Sequence, residues 1–232
     1  MAMFEGLERR YREVMKRVAL AAERVGRSVS EITLVAVTKN VPAEVIRKAA
    51  GLGMSHFGEN RAQELRDKYR QLDDLDVTWH FIGRIQTNKV RYFVPVCRYV
   101  HSVWRLEEVE EIQKRADRLG KSISAFVEVN VSGEESKAGL RPQEVKGFLS
   151  GLTAYDRVRF IGLMTMAPLT DDEELVRSVF RRLRELRDHL SQYDTSNVEI
   201  RELSMGMSSD FEIAVEEGAT YLRIGSAIFK GE

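Results

Sequence analysis

The chain has 232 residues, and its 36 Lys plus Arg are balanced by 36 Asp plus Glu, so the formal net charge is zero. That balance argues against a generally basic nucleic-acid-binding protein and against an acidic solvating tail, while leaving room for a local basic patch. Hydrophobic residues make up 43%, enough to bury a sizeable core and too many for a disordered chain.

The first predicted element is an amphipathic helix. Phe4, Leu7, Tyr11, Val14, Val18, Ala21 and Val25 recur at steps of three and four, and Gly26 ends the run. Its polar face carries both signs of charge, which favours packing on a core over binding a membrane. The chain then alternates. Apolar, β-branched runs predict strands at 32–38, 55–58, 77–82, 98–103, 124–131, 158–164, 198–203 and 221–224. Helices are predicted between them: one opened by Pro42 and closed by Gly51 or Gly53, then 61–69, 86–93, 106–119, one from Pro142, 171–191 and 210–217.

Eight strand–helix alternations predict the α/β class and a single-domain (β/α)8 TIM-type barrel over 32–229, preceded by an extra N-terminal helix over 1–26. No linker or composition shift divides residues 1–232, so one domain is expected. An open doubly wound sheet is the competing architecture, but no G-x-G-x-x-G follows the first strand. No apolar run approaches the roughly 20 residues of a membrane-spanning helix. The amino terminus, charged from Glu5 onward, lacks the apolar core of a secretory signal. The lone cysteine, Cys97, excludes an internal disulfide and points to a reducing, cytoplasmic compartment.

Barrels work at the carboxyl ends of their strands. Lys39 follows the first strand, where partial burial or neighbouring cations would free its amine for Schiff-base chemistry; a solvated strand-end lysine is the plainer alternative. Asn60 follows the second strand and either contacts a ligand or caps a helix. His80 sits between Trp79 and Phe81, the setting of a core histidine. The seventh strand runs into Ser204-Met205-Gly206-Met207-Ser208, and the eighth carries Arg223 before Gly225 and Ser226. These are the turns where barrels bind phosphate, with glycines admitting the anion to the backbone, although helix caps need the same small residues. His56, His80, His101 and His189 lack ligand spacing, so no metal is expected. Cys97 and His101 form a conceivable nucleophile–base pair, but apolar neighbours suggest an inert thiol. The arginines between 177 and 187 alternate with Leu and Glu, as on the solvated face of a helix.

Six blocks in order, ITLVAVTKNVPAEVIRKA, HFGENRAQEL, WHFIGRIQTNK, VNVSGEESKAGL, GLMTMAP and LSMGMSSDFEIAVEEGATYLRIGSAIF, give the chain its resemblance to the pyridoxal phosphate homeostasis family, which is alanine-racemase N-terminal-domain-like. The resemblance implies a fold-type III barrel holding pyridoxal 5′-phosphate. It makes Lys39 the Schiff-base lysine and gives the phosphate to Ser204, Met205, Gly206, Ser208, Gly225 and Ser226. It sets Arg223 at the pyridine nitrogen, with Asn60 and His80 lining the pocket. It implies a cofactor store or carrier in vitamin B6 homeostasis, with no catalytic residues assigned. Apo-enzymes that use pyridoxal phosphate are the implied partners, with neither nucleic acid nor membrane. The dimer-forming second domain of the racemases is not expected here, so a monomer is. A slow amino-acid racemase or another fold-type III enzyme is the alternative, and a barrel binding a different phosphorylated metabolite non-covalently is a third. A cation at the pyridine nitrogen disfavours its protonation and makes the ring a poorer electron sink. Ser226 stands where the family commonly has Thr, which keeps the hydroxyl. Lys230 follows Phe229 where glycine is common. Arg84 and Lys137 have no assigned role.

Overall fold

Leu7, Val14, Val18 and Ala21 are buried along one face of the first helix, α1 (Leu7–Arg24), as their spacing predicts. Gly26, at φ 68°, takes the left-handed turn that ends it. The computed structural model describes residues 6–134 and 137–230; the expected contribution of Phe4 to this helix lies outside them.

The alternation that follows is β1 (Thr33–Val37), α2 (Ala43–Gly51), β2 (His56–Glu59), α3 (Ala62–Gln71), β3 (Thr78–Phe81), α4 (Val90–Phe93), β4 (Tyr99–Val103) and α5 (Leu106–Arg118). It continues with β5 (Ile123–Glu128), α6 (Pro142–Ser150), β6 (Val158–Met164), α7 (Glu173–Leu190), β7 (Val198–Ser204), α8 (Phe211–Glu216), β8 (Tyr221–Ile224) and α9 (Ser226–Phe229). The strands pair in parallel in chain order, and β8 returns to β1, with Val35 opposite Arg223. Closure decides against the open sheet.

Two cores result. The sleeve between strands and helices is apolar, built on residues such as Phe57, Phe81, Phe93, Phe160 and Phe180. The lumen is different. Branched aliphatic side chains usually fill it, but here His80 stacks on Tyr99 at 4.5 Å and His101 on Phe126 at 4.4 Å, while Tyr221 meets Phe126 edge-on at 5.1 Å.

Three local expectations change. β5 ends at Glu128: the Val129 N–H still donates to the Met164 carbonyl at 2.8 Å, but Val129 then pairs with Leu140 in an isolated bridge. Pro42 caps α2 from outside its first turn, its fixed φ leading the chain in. The arginines of α7 are more than a solvated face: Arg177, Arg181 and Arg184 converge on the nearly buried Glu217 at 3.2, 3.4 and 2.9 Å.

Candidate functional site

The turn after β1 is locked from below. Thr38 is buried, its backbone N–H donating to the Gly58 carbonyl at 2.9 Å. The Lys68 ammonium, itself buried, donates to the Thr38 carbonyl, to Glu59 Oε2 and to Glu64 Oε1, each at 2.6 Å. Asn40 takes the left-handed conformation at φ 60°, which asparagine tolerates better than most residues, and its N–H donates to Glu64. Lys39 stands exposed between these fixed neighbours. Sequence reasoning found Lys39 and missed its support. The Glu64–Lys68 spacing of four on α3 was the available signal.

The turns after β7 and β8 are knitted together. Ser208 Oγ accepts from the N–H groups of Gly225 and Ala227 at 3.3 and 3.2 Å. These donors, at the start of α9, are of the kind an anion takes. Ser226 is exposed beside them, and Gly225 half-buried. The glycines also answer to a packing demand. A Cβ on Gly206 would lie 2.5 Å from Ala214 Cβ, and one on Gly225 would lie 3.2 Å from the Val37 carbonyl oxygen. What their missing side chains admit is neighbouring protein. Met205 is fully buried.

Arg223 forms the floor. It is buried, and its guanidinium donates to Ser204 Oγ at 2.5 Å and to the Thr165 carbonyl at 3.0 Å. Burial pulls its pKa down to about 10, partly offset by Glu128 and Asp210. Glu128, at the end of β5, is a buried carboxyl pushed up to about 7 by desolvation, with Arg223 opposing the rise. Burial also raises Asp210, which Arg223 counters. Neither carboxylate was singled out from the sequence.

Three of the four histidines meet in the lumen, an arrangement the sequence reading did not foresee. His56 Nδ1 lies 2.9 Å from His80 Nε2, His80 Nδ1 lies 2.9 Å from His101 Nε2, and His101 Nδ1 lies 2.8 Å from Ser204 Oγ. The parallel barrel brings β2, β3, β4 and β7 to one lumen, which linear spacing does not reveal. Each link joins a different pair of atoms, so the nitrogens do not converge on one point as metal ligands would. Among the described residues, no group of three or more His, Cys, Asp or Glu could hold a metal ion. Burial pushes His80 and His101 well below the usual histidine range, with neighbouring histidines, Arg98 and Arg223 adding to it.

The remaining candidates lie around the rim. Asn60 is exposed after β2, its N–H donating to Glu59 Oε1 at 2.8 Å. Arg84 is exposed and lines a cleft of about 430 Å³ with Gln86, Asn88 and Arg105. Lys137 pairs with Glu134 at 2.7 Å. Cys97 is fully buried, its thiol pushed up to about 12 by desolvation, while the nitrogens of His101 are engaged by His80 and Ser204. The two are not a nucleophile–base pair.

Lys39, Arg223 and the Ser208–Ser226 turns therefore stand on the adjacent strands β7, β8 and β1, and Asn60 stands one strand further on. Residues 15–232 match the family model described as alanine racemase, N-terminal domain. The chain is 46% identical over 220 residues to the pyridoxal phosphate homeostasis protein of Aquifex aeolicus, covering 95% of this chain and 96% of that one. It is 38% identical to the protein of the same name from Pseudomonas aeruginosa, covering 94% and 92%. Among solved structures, PipY of Synechococcus elongatus with pyridoxal phosphate bound superposes with a TM-score of 0.81 at 36% identity, covering 94% of this chain and 100% of that one.

Proposed function

This chain belongs to the family of the alanine racemase N-terminal domain and the pyridoxal phosphate homeostasis proteins, and on that premise we propose that it binds pyridoxal 5′-phosphate through Lys39 and buffers it in the cytoplasm. The observation that carries the reading is the donor set gathered by three adjacent strands. An exposed amine on a braced turn suits the aldehyde. The joined β7 and β8 turns offer hydroxyls and backbone N–H groups to the phosphate. The buried guanidinium of Arg223 suits an unprotonated pyridine nitrogen. Ser204 enters this set indirectly, since its hydroxyl is engaged by Arg223 and His101.

When bound, the cofactor supplies a reactive aldehyde and a ring able to take up electrons. The residues of the chain set how far that is used. Lys39 holds the aldehyde away from other amines. Arg223 keeps a positive charge where a carboxylate would otherwise favour ring protonation, which discourages carbanion chemistry. Storage and delivery to apo-enzymes fit this arrangement better than turnover, and the relatives at 46% and 38% identity are named homeostasis proteins. The chain acts as a monomer in this reading.

The test is absorbance of the chain with added pyridoxal phosphate, beside Lys39→Ala, followed by borohydride reduction and peptide mapping. A visible band in the parent alone, with the label on Lys39, supports the reading. Absence of band and label refutes it and favours a non-covalent phosphate ligand. Incubation with amino acids in D₂O then separates store from racemase. Exchange at Cα with turnover overturns the non-catalytic reading.

A further inference from the structure

The lumen contains an unbroken line of hydrogen bonds that the binding of a cofactor does not by itself require. It starts at His56 near the amino-terminal end of β2, passes through His80 and His101, and reaches Ser204 at the carboxyl end of β7 and Arg223 on β8. His80, His101 and Ser204 are fully buried. The direction of every bond follows from one fact: a guanidinium can only donate. Ser204 Oγ therefore accepts from Arg223. Its own hydrogen needs an acceptor, and His101 Nδ1 lies 2.8 Å away. The opposite polarity, with His101 donating, would leave that hydroxyl hydrogen buried without a partner.

The rest follows link by link. His101 Nδ1 accepts, so the neutral ring carries its hydrogen on Nε2 and donates to His80 Nδ1 at 2.9 Å. His80 is then also the Nε2–H form and donates to His56 Nδ1 at 2.9 Å. His56 carries its hydrogen on Nε2 too. A charged ring anywhere in the line would set donor against donor. It would also face Arg98 near His56 and His80, or Arg223 near His101. Tyr99 and Tyr221 pack around the rings, and Phe126 covers His101.

We propose that His56, His80 and His101 are positioning residues: through Ser204 they hold the Arg223 guanidinium in one orientation, as a one-way chain of neutral imidazoles. The donor end of the line is Arg223, a guanidinium that holds its proton strongly, so the line is not a relay delivering protons inward. Its consequence for cofactor rests on the reading above, because it keeps fixed the charge that the pyridine nitrogen meets. The chain of bonds itself can be tested without any cofactor.

The experiment is long-range ¹H–¹⁵N correlation on the cofactor-free chain, labelled in histidine and arginine, at neutral pH. His189, exposed on α7, is the internal reference. Three neutral Nε2–H rings and separate Nη resonances for Arg223 are expected. A charged ring or an Nδ1–H form at His56, His80 or His101 overturns the proposal, and needs no variant. His80→Phe then removes both bonds while keeping a ring against Tyr99. Merging of the Arg223 Nη resonances in H80F is expected; their persistence in the folded variant reduces the histidines to packing. Ser204→Ala is expected to release both Arg223 and the His101 tautomer, and Ser204→Thr to restore them. A tautomer and Arg223 pattern as expected, in a chain that takes no label at Lys39, would uphold the positioning and refute the cofactor.

Discussion

Lys68 Nζ lies 2.6 Å from Glu59 Oε2, and both groups are buried beneath the turn that presents Lys39. A buried pair of this kind adds little net stability relative to an apolar pair, but breaking it from one side leaves a charge with no compensation. Lys68→Met is expected to cost about 3–5 kcal/mol. Urea unfolding measures the loss, and borohydride labelling of Lys39 shows whether the turn has loosened. An unchanged unfolding midpoint would show that Glu59 finds water or another donor.

Glu128 supplies a pH dependence with a definite sign. Its pKa is raised from 4.5 to about 7 in the fold, so the native state binds the proton more tightly than the unfolded chain. The stability this gives is fully present below the unfolded value and is lost as pH rises through about 7. Its size is on the order of 3 kcal/mol at 1.4 kcal/mol for each pKa unit. Glu128→Gln removes it. Denaturation across a pH series is expected to show the variant gaining on the parent as pH rises over that window. Parallel profiles for the two chains would contradict the assignment.

Gly206 is fixed by its neighbours and by its backbone. At φ 92° with Ala214 Cβ only 2.5 Å from where a methyl would sit, Gly206→Ala is both strained and overpacked. The strain alone is worth about 1–3 kcal/mol. The methyl presses on α8, so the joined β7 and β8 turns are displaced as well. A lower melting temperature together with weaker retention of pyridoxal phosphate is expected, against Gly147→Ala, where a Cβ meets nothing within 4 Å, as the control.

Cys97 is expected to stay silent toward aromatic disulfide reagents until the chain unfolds. The thiol is fully buried and its pKa is pushed up to about 12, leaving almost no thiolate at neutral pH. Colour release measured with and without denaturant checks it, and rapid reaction of the native chain would refute the burial.

The architecture was legible because a parallel barrel writes each strand as a short apolar run, and β6 and β8 fall where 158–164 and 221–224 place them. Lys39 was legible as a polar residue at a strand end, and Arg223, inside β8, only through the family resemblance. The lumen was not. His56, His80 and His101 are far apart in sequence, and the pairing of β2, β3 and β4 brings them within hydrogen-bond reach, while the link on to Ser204 of β7 needs the closed barrel. His80 is the satisfied core histidine that its neighbours Trp79 and Phe81 suggest, but it belongs to the lumen while they belong to the sleeve. The alternation of a strand carries that information, but the identity of the opposing residues does not appear in it. Glu128 was hidden because the predicted strand ran on to Val131, which left the acid inside the run and not at the strand end where the barrel mouth begins.

The first helix also fastens the seam of the barrel. Arg10 Nε donates to the Ile228 carbonyl at 2.8 Å, Arg17 pairs with Glu212 at 2.6 Å, and Arg24 with Glu216 at 2.7 Å. The helix that leads into the barrel is thus anchored on the segments that close it. Lys39 and Arg223 lie on the two strands that meet at this seam. A nascent chain stalled before β8 therefore displays Lys39 without Arg223 or the β8 turn. On the proposed reading the site comes into being only when the barrel shuts, so capture of an aldehyde there would report barrel closure and not the presence of Lys39 alone.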